Sequence, residues 1–320
     1  MRRLIAILLI LLISGLPVTA LAQESADGVI SGQVINGTEG GSSVDEIEVT
    51  LITYVDGMMA ETRTAKTDEE GKFQFDDVAT EHIYLVSVKY MEVNYYYSVA
   101  FESGETTAYV EVGVCDATTS DESISIGLAH NIINVEEESI KITEVFWLVN
   151  DGDRTYVGTE GVLVFTLPAG AYNFEAPQEL MPDYQFLGGN RVTYLVPFPP
   201  GERQLVYSYR LAKPDSSELT IPLEIDYSMD SYALMVGGEG IEVTVTQLAP
   251  AEPVSTDTGE YFIHFRGENL PRGTVINIRL SNLSGGGGLH FVILWVIVAV
   301  VIVGIAVYLL KKGRSEKTNE

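Results

Sequence analysis

Thr67-Asp68-Glu69-Glu70-Gly71-Lys72-Phe73-Gln74-Phe75 sets a turn and the start of a strand back to back. Asp, Glu and Gly across 68–71 are the residues that reverse a chain, and Phe73 and Phe75 flank Gln74, so a period of two sends both rings to one face. The same alternation recurs on either side. Ile47, Val49 and Leu51 alternate with Glu48 and Thr50, and Val86, Val88 and Tyr90 with Ser87 and Lys89. Val110, Val112 and Val114 end a further run. No sustained 3.6-residue apolar period is present before Phe291, and Gly, Asn and Asp turns separate the runs at short intervals. The predicted class is therefore all-β, with sandwiches burying alternate residues between two facing sheets.

Two stretches break this pattern. Arg2 and Arg3 precede an apolar run from Leu4 to Leu16, followed by Pro17 and the small-residue site Ala20-Leu21-Ala22. These are the three parts of a secretory signal peptide, expected at 1–22, and the run is too short for the roughly 20 residues a membrane helix needs. Phe291 to Leu310 holds no charge and, at about 1.5 Å per helical residue, matches a hydrocarbon core of about 30 Å. Trp295 and Tyr308 stand at its interfacial levels, and Lys311, Lys312 and Arg314 follow at once. Residues 291–310 are thus read as a transmembrane helix, with 311–320 a cytoplasmic tail. No LPxTG-like pentapeptide precedes it that would release the chain to a cell wall. The expected topology is single-pass type I in the cytoplasmic membrane, with Gln23 to Gly288 extracellular or periplasmic.

The formal net charge is -26. Without the charges of the signal and tail, 13 of the 19 basic residues and 43 of the 45 acidic ones remain in the exported part. Such a surface repels phosphate backbones, which excludes nucleic acid as a partner, and it keeps an exposed domain soluble. Cys115 is the single cysteine. Neither an intrachain disulfide nor a Cys-based zinc site can be assembled from it, so the fold must rest on its apolar core.

Turn composition from Asp116 to Asp121 separates a first domain at 27–115 from a second β-rich region at 122–283. That region reads as one elaborated sandwich or two small ones, with one domain the preferred reading. The Pro-rich stretch Ala249 to Pro253 is either an internal break or a long hairpin connection. Gly285 to Gly288 make 284–290 a flexible linker.

The first domain reads Gly32-Gln33-Val34-Ile35-Asn36-Gly37-Thr38, then Val49-Thr50-Leu51, then Thr67 to Phe75, then Tyr84-Leu85-Val86-Ser87-Val88-Lys89-Tyr90. In that order and spacing it resembles the carboxypeptidase regulatory-like, transthyretin-like family of small β-sandwiches. The match covers about residues 28 to 114, with Gly37 expected to supply a positive φ for a tight turn. The resemblance implies a non-catalytic accessory sandwich and brings no active-site residues or cofactor. Its namesake metallopeptidase would need a separate domain with His and Glu zinc ligands, which this chain lacks.

Motifs for chemistry are sparse. His82, His130, His264 and the membrane-boundary His290 form no HExxH pair, and no GxSxG elbow or phosphate-cradling fingerprint occurs. Gly237-Gly238-Glu239-Gly240 reads as a hairpin loop, and so does Asn150-Asp151-Gly152-Asp153 between Phe146–Val149 and Thr155–Val157. The latter, with Asp68–Glu70 and Glu136–Glu138, is also a source of oxygens for calcium, although none matches a DxDxDG loop. Paired carboxylates for glycoside chemistry cannot be picked out among so many acids. Tyr95, Tyr96 and Tyr97 are the candidate binding patch, with Tyr95 and Tyr97 on one strand face and Tyr96 on the other. Asn36-Gly37-Thr38 and Asn282-Leu283-Ser284 fit the glycosylation sequon. The expected function is a non-enzymatic binding or structural accessory module for a protein or glycan partner, without cofactor or metal. The alternatives are a hydrolase with a carboxylate site in 122–283 and a calcium-dependent adhesion protein.

Overall fold

The computed structural model describes residues 27–255 and 260–283. The expected signal peptide, linker, transmembrane helix and tail lie outside them. Within the described residues the protein is all-β, interrupted by a three-residue 3₁₀ turn at Met181–Asp183. Among these residues no helix is long and apolar enough to cross a membrane.

The chain divides into two compact units. Unit 1 takes in residues up to Ile35, Ser43–Lys89 and Asn94–Gly113. Unit 2 begins in earnest at Val114, and it also owns Asn36–Ser42 and Tyr90–Val93.

The strands of the N-terminal stretch are β1 (Asp27–Asn36), β2 (Glu48–Val55), β3 (Met58–Lys66), β4 (Lys72–Ala79), β5 (Ile83–Tyr90), β6 (Val93–Ala100) and β7 (Thr107–Val114). They form two sheets, β4-β1-β7 and β3-β2-β5-β6. Alternation decides the core, with Val49, Leu51, Phe73, Phe75, Val86, Val88 and Val112 all buried. The β2–β3 hairpin closes through Asp56 (φ 51°) and Gly57 (φ 77°), the paired left-handed residues of a two-residue turn.

Asp68 makes the turn before Phe73 as its composition predicts. Its Oδ1 accepts the Glu70 and Lys72 amides at 3.0 and 2.8 Å. Gly71 is left-handed (φ +79°), and a Cβ there would stand 2.4 Å from the Val34 carbonyl oxygen. Gly71→Ala is therefore expected to cost unit 1 about 2 kcal/mol or more, read as a lowered denaturation midpoint with an unchanged slope. Gly37 differs from expectation, since it does not take a left-handed φ. Its amide bonds the Val114 carbonyl, the Asn36 side chain receives the Thr38 amide, and Gly40 (φ 63°) supplies the left-handed residue instead.

Unit 2 continues with β8 (Ala117–Thr118), β9 (Ile124–Val135), β10 (Ser139–Asn150), β11 (Thr155–Tyr156), β12 (Leu163–Thr166), β13 (Tyr172–Glu175), β14 (Tyr184–Gly188) and β15 (Arg191–Tyr194). Then come β16 (Gly201–Ala212), β17 (Glu218–Glu224), β18 (Met229–Gly237), β19 (Glu242–Val245), β20 (Ala249–Ser255), β21 (Tyr261–Leu270) and β22 (Val275–Ser281). The main sheet runs β13-β16-β10-β9-β18-β21-β20, with β9 and β18 parallel. Smaller sheets β12-β15-β14, β17-β22-β19 and β11-β8 complete the unit. A single hydrophobic cluster joins Ile142, Phe146 and Leu148 of β10 to Phe165 of β12, Tyr207 of β16 and Ile276 and Ile278 of β22.

Three loop readings change. Gly237 to Gly240 is not a hairpin loop, because β18 and β19 belong to different sheets. Asn150 to Asp153 is not one either, because β11 pairs with β8 in parallel. Ala249 to Pro253 is neither a break nor a loop but the start of edge strand β20, bulged between Ala251 and Val254. An edge is where a sheet tolerates Pro250 and Pro253.

Candidate functional site

The tyrosine run does not converge on one patch. Tyr95 is buried at 9% exposure, whereas Tyr96 is 57% exposed on the opposite face of β6. Tyr97 Oη donates to the Gly113 carbonyl at 3.0 Å and accepts the Gly113 amide at 3.1 Å. It thereby ties β6 to β7 of the opposing sheet. Of the three, Tyr96 is the ring presented to solvent, and Tyr109, 59% exposed, is another in unit 1.

The acid that stands out is Glu144. On β10 the inward file reads Ile140, Ile142, Glu144, Phe146, Leu148, so a carboxyl occupies a core position among apolar neighbours. The register sets Tyr207 of β16 opposite it on one side and Asn131 of β9 on the other. Tyr209 Oη donates to Glu144 Oε1 at 2.6 Å and Tyr207 Oη to Oε2 at 3.0 Å. Burial raises the Glu144 carboxyl from 4.5 to about 7, although both tyrosine hydrogen bonds act to lower it. Burial likewise lifts Tyr207 and Tyr209 well above their ordinary range.

Asp226 lies on the same cavity wall. Its two oxygens receive the Thr166 amide at 2.7 Å and the Thr166 hydroxyl at 2.8 Å. Burial outweighs these bonds and raises its carboxyl. Glu144 and Asp226, with Asn131, Phe146, Phe165 and Tyr232, line a cavity of ≈ 20 Å³, room for about one water molecule. Among the described residues, Asn131 Oδ1 and Tyr232 Oη, both on this lining, make no hydrogen bond of good geometry, although the Asn131 side chain is near enough to act on the Tyr232 hydroxyl.

A carboxyl titrating near neutrality beside a second one is the arrangement of acid–base chemistry. Here every oxygen of the two acids already accepts a hydrogen bond, and the space matches a water rather than a sugar ring or peptide. The geometry suits a proton-responsive strut in the core.

A second network surrounds Asp116, also within unit 2. Its carboxylate accepts Asn36 Nδ2 and Tyr90 Oη, both at 2.9 Å, and the amide and hydroxyl of Ser42 at 3.2 Å. Arg154 Nη1 lies 3.5 Å away. Burial acts to raise this carboxyl, but the bonds from Asn36, Tyr90 and Ser42 win and hold it below 3.8. Thr38 Oγ1 accepts the Asp116 amide and donates to the Asp153 carbonyl, while Asp153 Oδ2 accepts the Glu39 amide. Asn36, the sequon asparagine, spends its amide nitrogen on Ser42, Tyr90 and Asp116. Neighbouring Cys115 has its thiol pushed up chiefly by burial.

The loops named for calcium have other work. Asn150 Oδ1 accepts the Gly152 amide and its Nδ2 donates to the Arg154 and Phe198 carbonyls. Glu136 pairs with Arg210 and accepts the Ser139 hydroxyl. Among the described residues no three His, Cys, Asp or Glu side chains converge as a metal-binding group. Among the described histidines, His130 and His264 lie near enough to interact electrostatically, without a third ligand-type side chain beside them. His82 rests against Tyr84, His130 sits edge-on to Trp147, and His264 contacts the Glu252 carbonyl. Burial lowers His130 to about 4, so it is neutral at physiological pH.

Neither the Glu144 cavity nor the Asp116 network is among the residues expected from sequence. The signal for Glu144 was its phase, an acid in step with the inward apolar residues of its strand. Asp116 carries no such mark, since its partners come from distant turns. No family model and no curated protein matches the sequence. Among solved structures, one from Parabacteroides distasonis described as a "putative protease" aligns over 51% of this chain and 41% of its own length. The identity is 11% and the TM-score 0.33, so the likeness carries no argument about fold or activity.

Proposed function

We propose that the chain is a single-pass, membrane-anchored exported protein whose β-rich part is a non-catalytic binding or structural accessory module for a protein or glycan partner. Residues 27–115 are its carboxypeptidase regulatory-like sandwich, and 291–310 hold it in the cytoplasmic membrane with the folded part outside. One observation carries the non-catalytic reading. The two acids that share a cavity, Glu144 and Asp226, are committed to tyrosine and threonine donors around a water-sized space. The two facing sheets of the N-terminal stretch support the sandwich assignment. The anchor rests on the uncharged stretch 291–310 and the cations after it.

The full-length protein is expected to show no turnover on peptide, ester or glycoside panels. Protease added to intact cells should digest the region between the two apolar segments, and the protein should require detergent for extraction. The same pair of carboxyls is also what favours the second reading, a hydrolase. Turnover abolished by Glu144→Gln would establish that reading in place of ours. Crosslinking in native membranes then identifies the partner.

A further inference from the structure

We propose that the free edge of β3 is a self-association surface, taking the β3 strand of a second copy of this chain in antiparallel register about Thr62. β3 ends the order β3-β2-β5-β6, so one side of its backbone has no neighbouring strand in the sheet. Which groups face that side follows from the ladder. The Thr67 amide bonds the Ile47 carbonyl and the Thr67 carbonyl accepts the Glu46 amide, so Thr67 turns both groups toward β2. Alternation then aims the backbone groups of Lys66, Thr64 and Thr62 outward. From Glu61 to Lys66 the pairing with β2 is regular, so the three central pairs of a mate about Thr62 fall on regular strand, and the irregularity at Thr53/Tyr54 bounds the pairing at Ala60.

Charges on an edge strand normally discourage pairing, because the approaching strand meets them unmatched. On β3 the signs alternate about a centre. Glu61 and Arg63 flank Thr62, so a two-fold mate centred on Thr62 sets Glu61 opposite the partner's Arg63 and Arg63 opposite the partner's Glu61. Shifting the centre to Glu61 opposes two carboxylates, and shifting it to Arg63 opposes two guanidiniums. Like charges directly opposite destabilise a strand pair and unlike ones favour it. The register is therefore selected by sequence. Placing Thr62 on the axis also pairs outward-facing backbone with outward-facing backbone, as a hydrogen-bonded pair requires. Glu61 and Thr62 are exposed, while Arg63 is half-buried, donating to the Asp77 carbonyl at 3.3 Å with its guanidinium over the Phe75 ring.

The test is self-association of the full-length protein in defined detergent micelles, followed by sedimentation over a range of protein concentration. Wild type is expected to form a concentration-dependent dimer. Glu61→Arg and Arg63→Glu each create two like-charge oppositions and should weaken it about tenfold or more. The combined Glu61→Arg/Arg63→Glu variant restores the complementarity with signs exchanged and should recover the dimer. Glu61→Arg alters an exposed side chain and keeps the test valid if Arg63→Glu fails to fold. A monomer at every concentration, a dimer indifferent to the single exchanges, or a double variant no better than the singles would overturn the proposal.

Discussion

With Glu144 replaced by glutamine, unit 2 escapes a loss of stability that the wild-type protein suffers as pH rises from about 4.5 to above 7. The folded-state carboxyl is raised, to about 7 from 4.5. Stability from this group is therefore complete below 4.5 and is lost as pH climbs through the folded value, because the unfolded chain ionises first. The shift corresponds to about 3 kcal/mol. Glutamine keeps an acceptor for one tyrosine and offers its amide to the other, and it carries no charge to bury. The measurement is urea denaturation of both proteins across that range, followed by Trp147 fluorescence. The difference between them should open by about 3 kcal/mol toward alkaline pH. Parallel pH profiles would show that the carboxyl titrates as an ordinary surface acid. Glu144→Leu should behave otherwise, destabilising at every pH by leaving the Tyr207 and Tyr209 hydroxyls without their acceptor.

Asp116→Ala is expected to cost unit 2 about 3–5 kcal/mol, in the range for removing one partner of a buried charge network. The loss has a named origin, since Asn36 Nδ2, Tyr90 Oη and the Ser42 amide and hydroxyl all give up an acceptor at once. Tyr90→Phe removes one of these bonds together with the contacts Tyr90 Oη makes to Asn36 Nδ2 and the Ser42 carbonyl, and should cost about 1–3 kcal/mol, less than Asp116→Ala. Hydrogen exchange at residues 38–42 provides an independent readout, with protection falling in the Ala variant. The pH dependence has the opposite sense to that of Glu144. This carboxyl is held below 3.8, so its contribution is present above 3.8 and disappears as pH falls through the folded value. Between them the two acids favour mildly acidic conditions.

Much of the fold was legible because strand alternation is a local property. Phe73 and Phe75 enter the core after the Asp68 turn as their spacing predicts, and Val86 and Val88 point inward from β5. What failed was connectivity. The turns at Asn150 and Gly237 have hairpin composition, yet each joins strands of different sheets, and no local pattern records which sheet a strand will enter. Gly37 misled for a related reason, because the Asn36 side chain performs the turn that a left-handed glycine was expected to make. The Glu144 cavity was hidden by abundance. Among 45 acidic residues only strand phase marks it, and its tyrosine partners lie on a strand about 60 residues further on in sequence.

The ownership of Asn36–Ser42 and Tyr90–Val93 by unit 2 governs how this protein can be dissected. A recombinant fragment beginning at Val114 would leave behind the Asn36, Ser42 and Tyr90 donors to the Asp116 carboxylate and keep Arg154 as its charged neighbour. Genetic exchange of the amino-terminal sandwich for a homologous module would do the same harm, unless those two short insertions travelled with the acceptor.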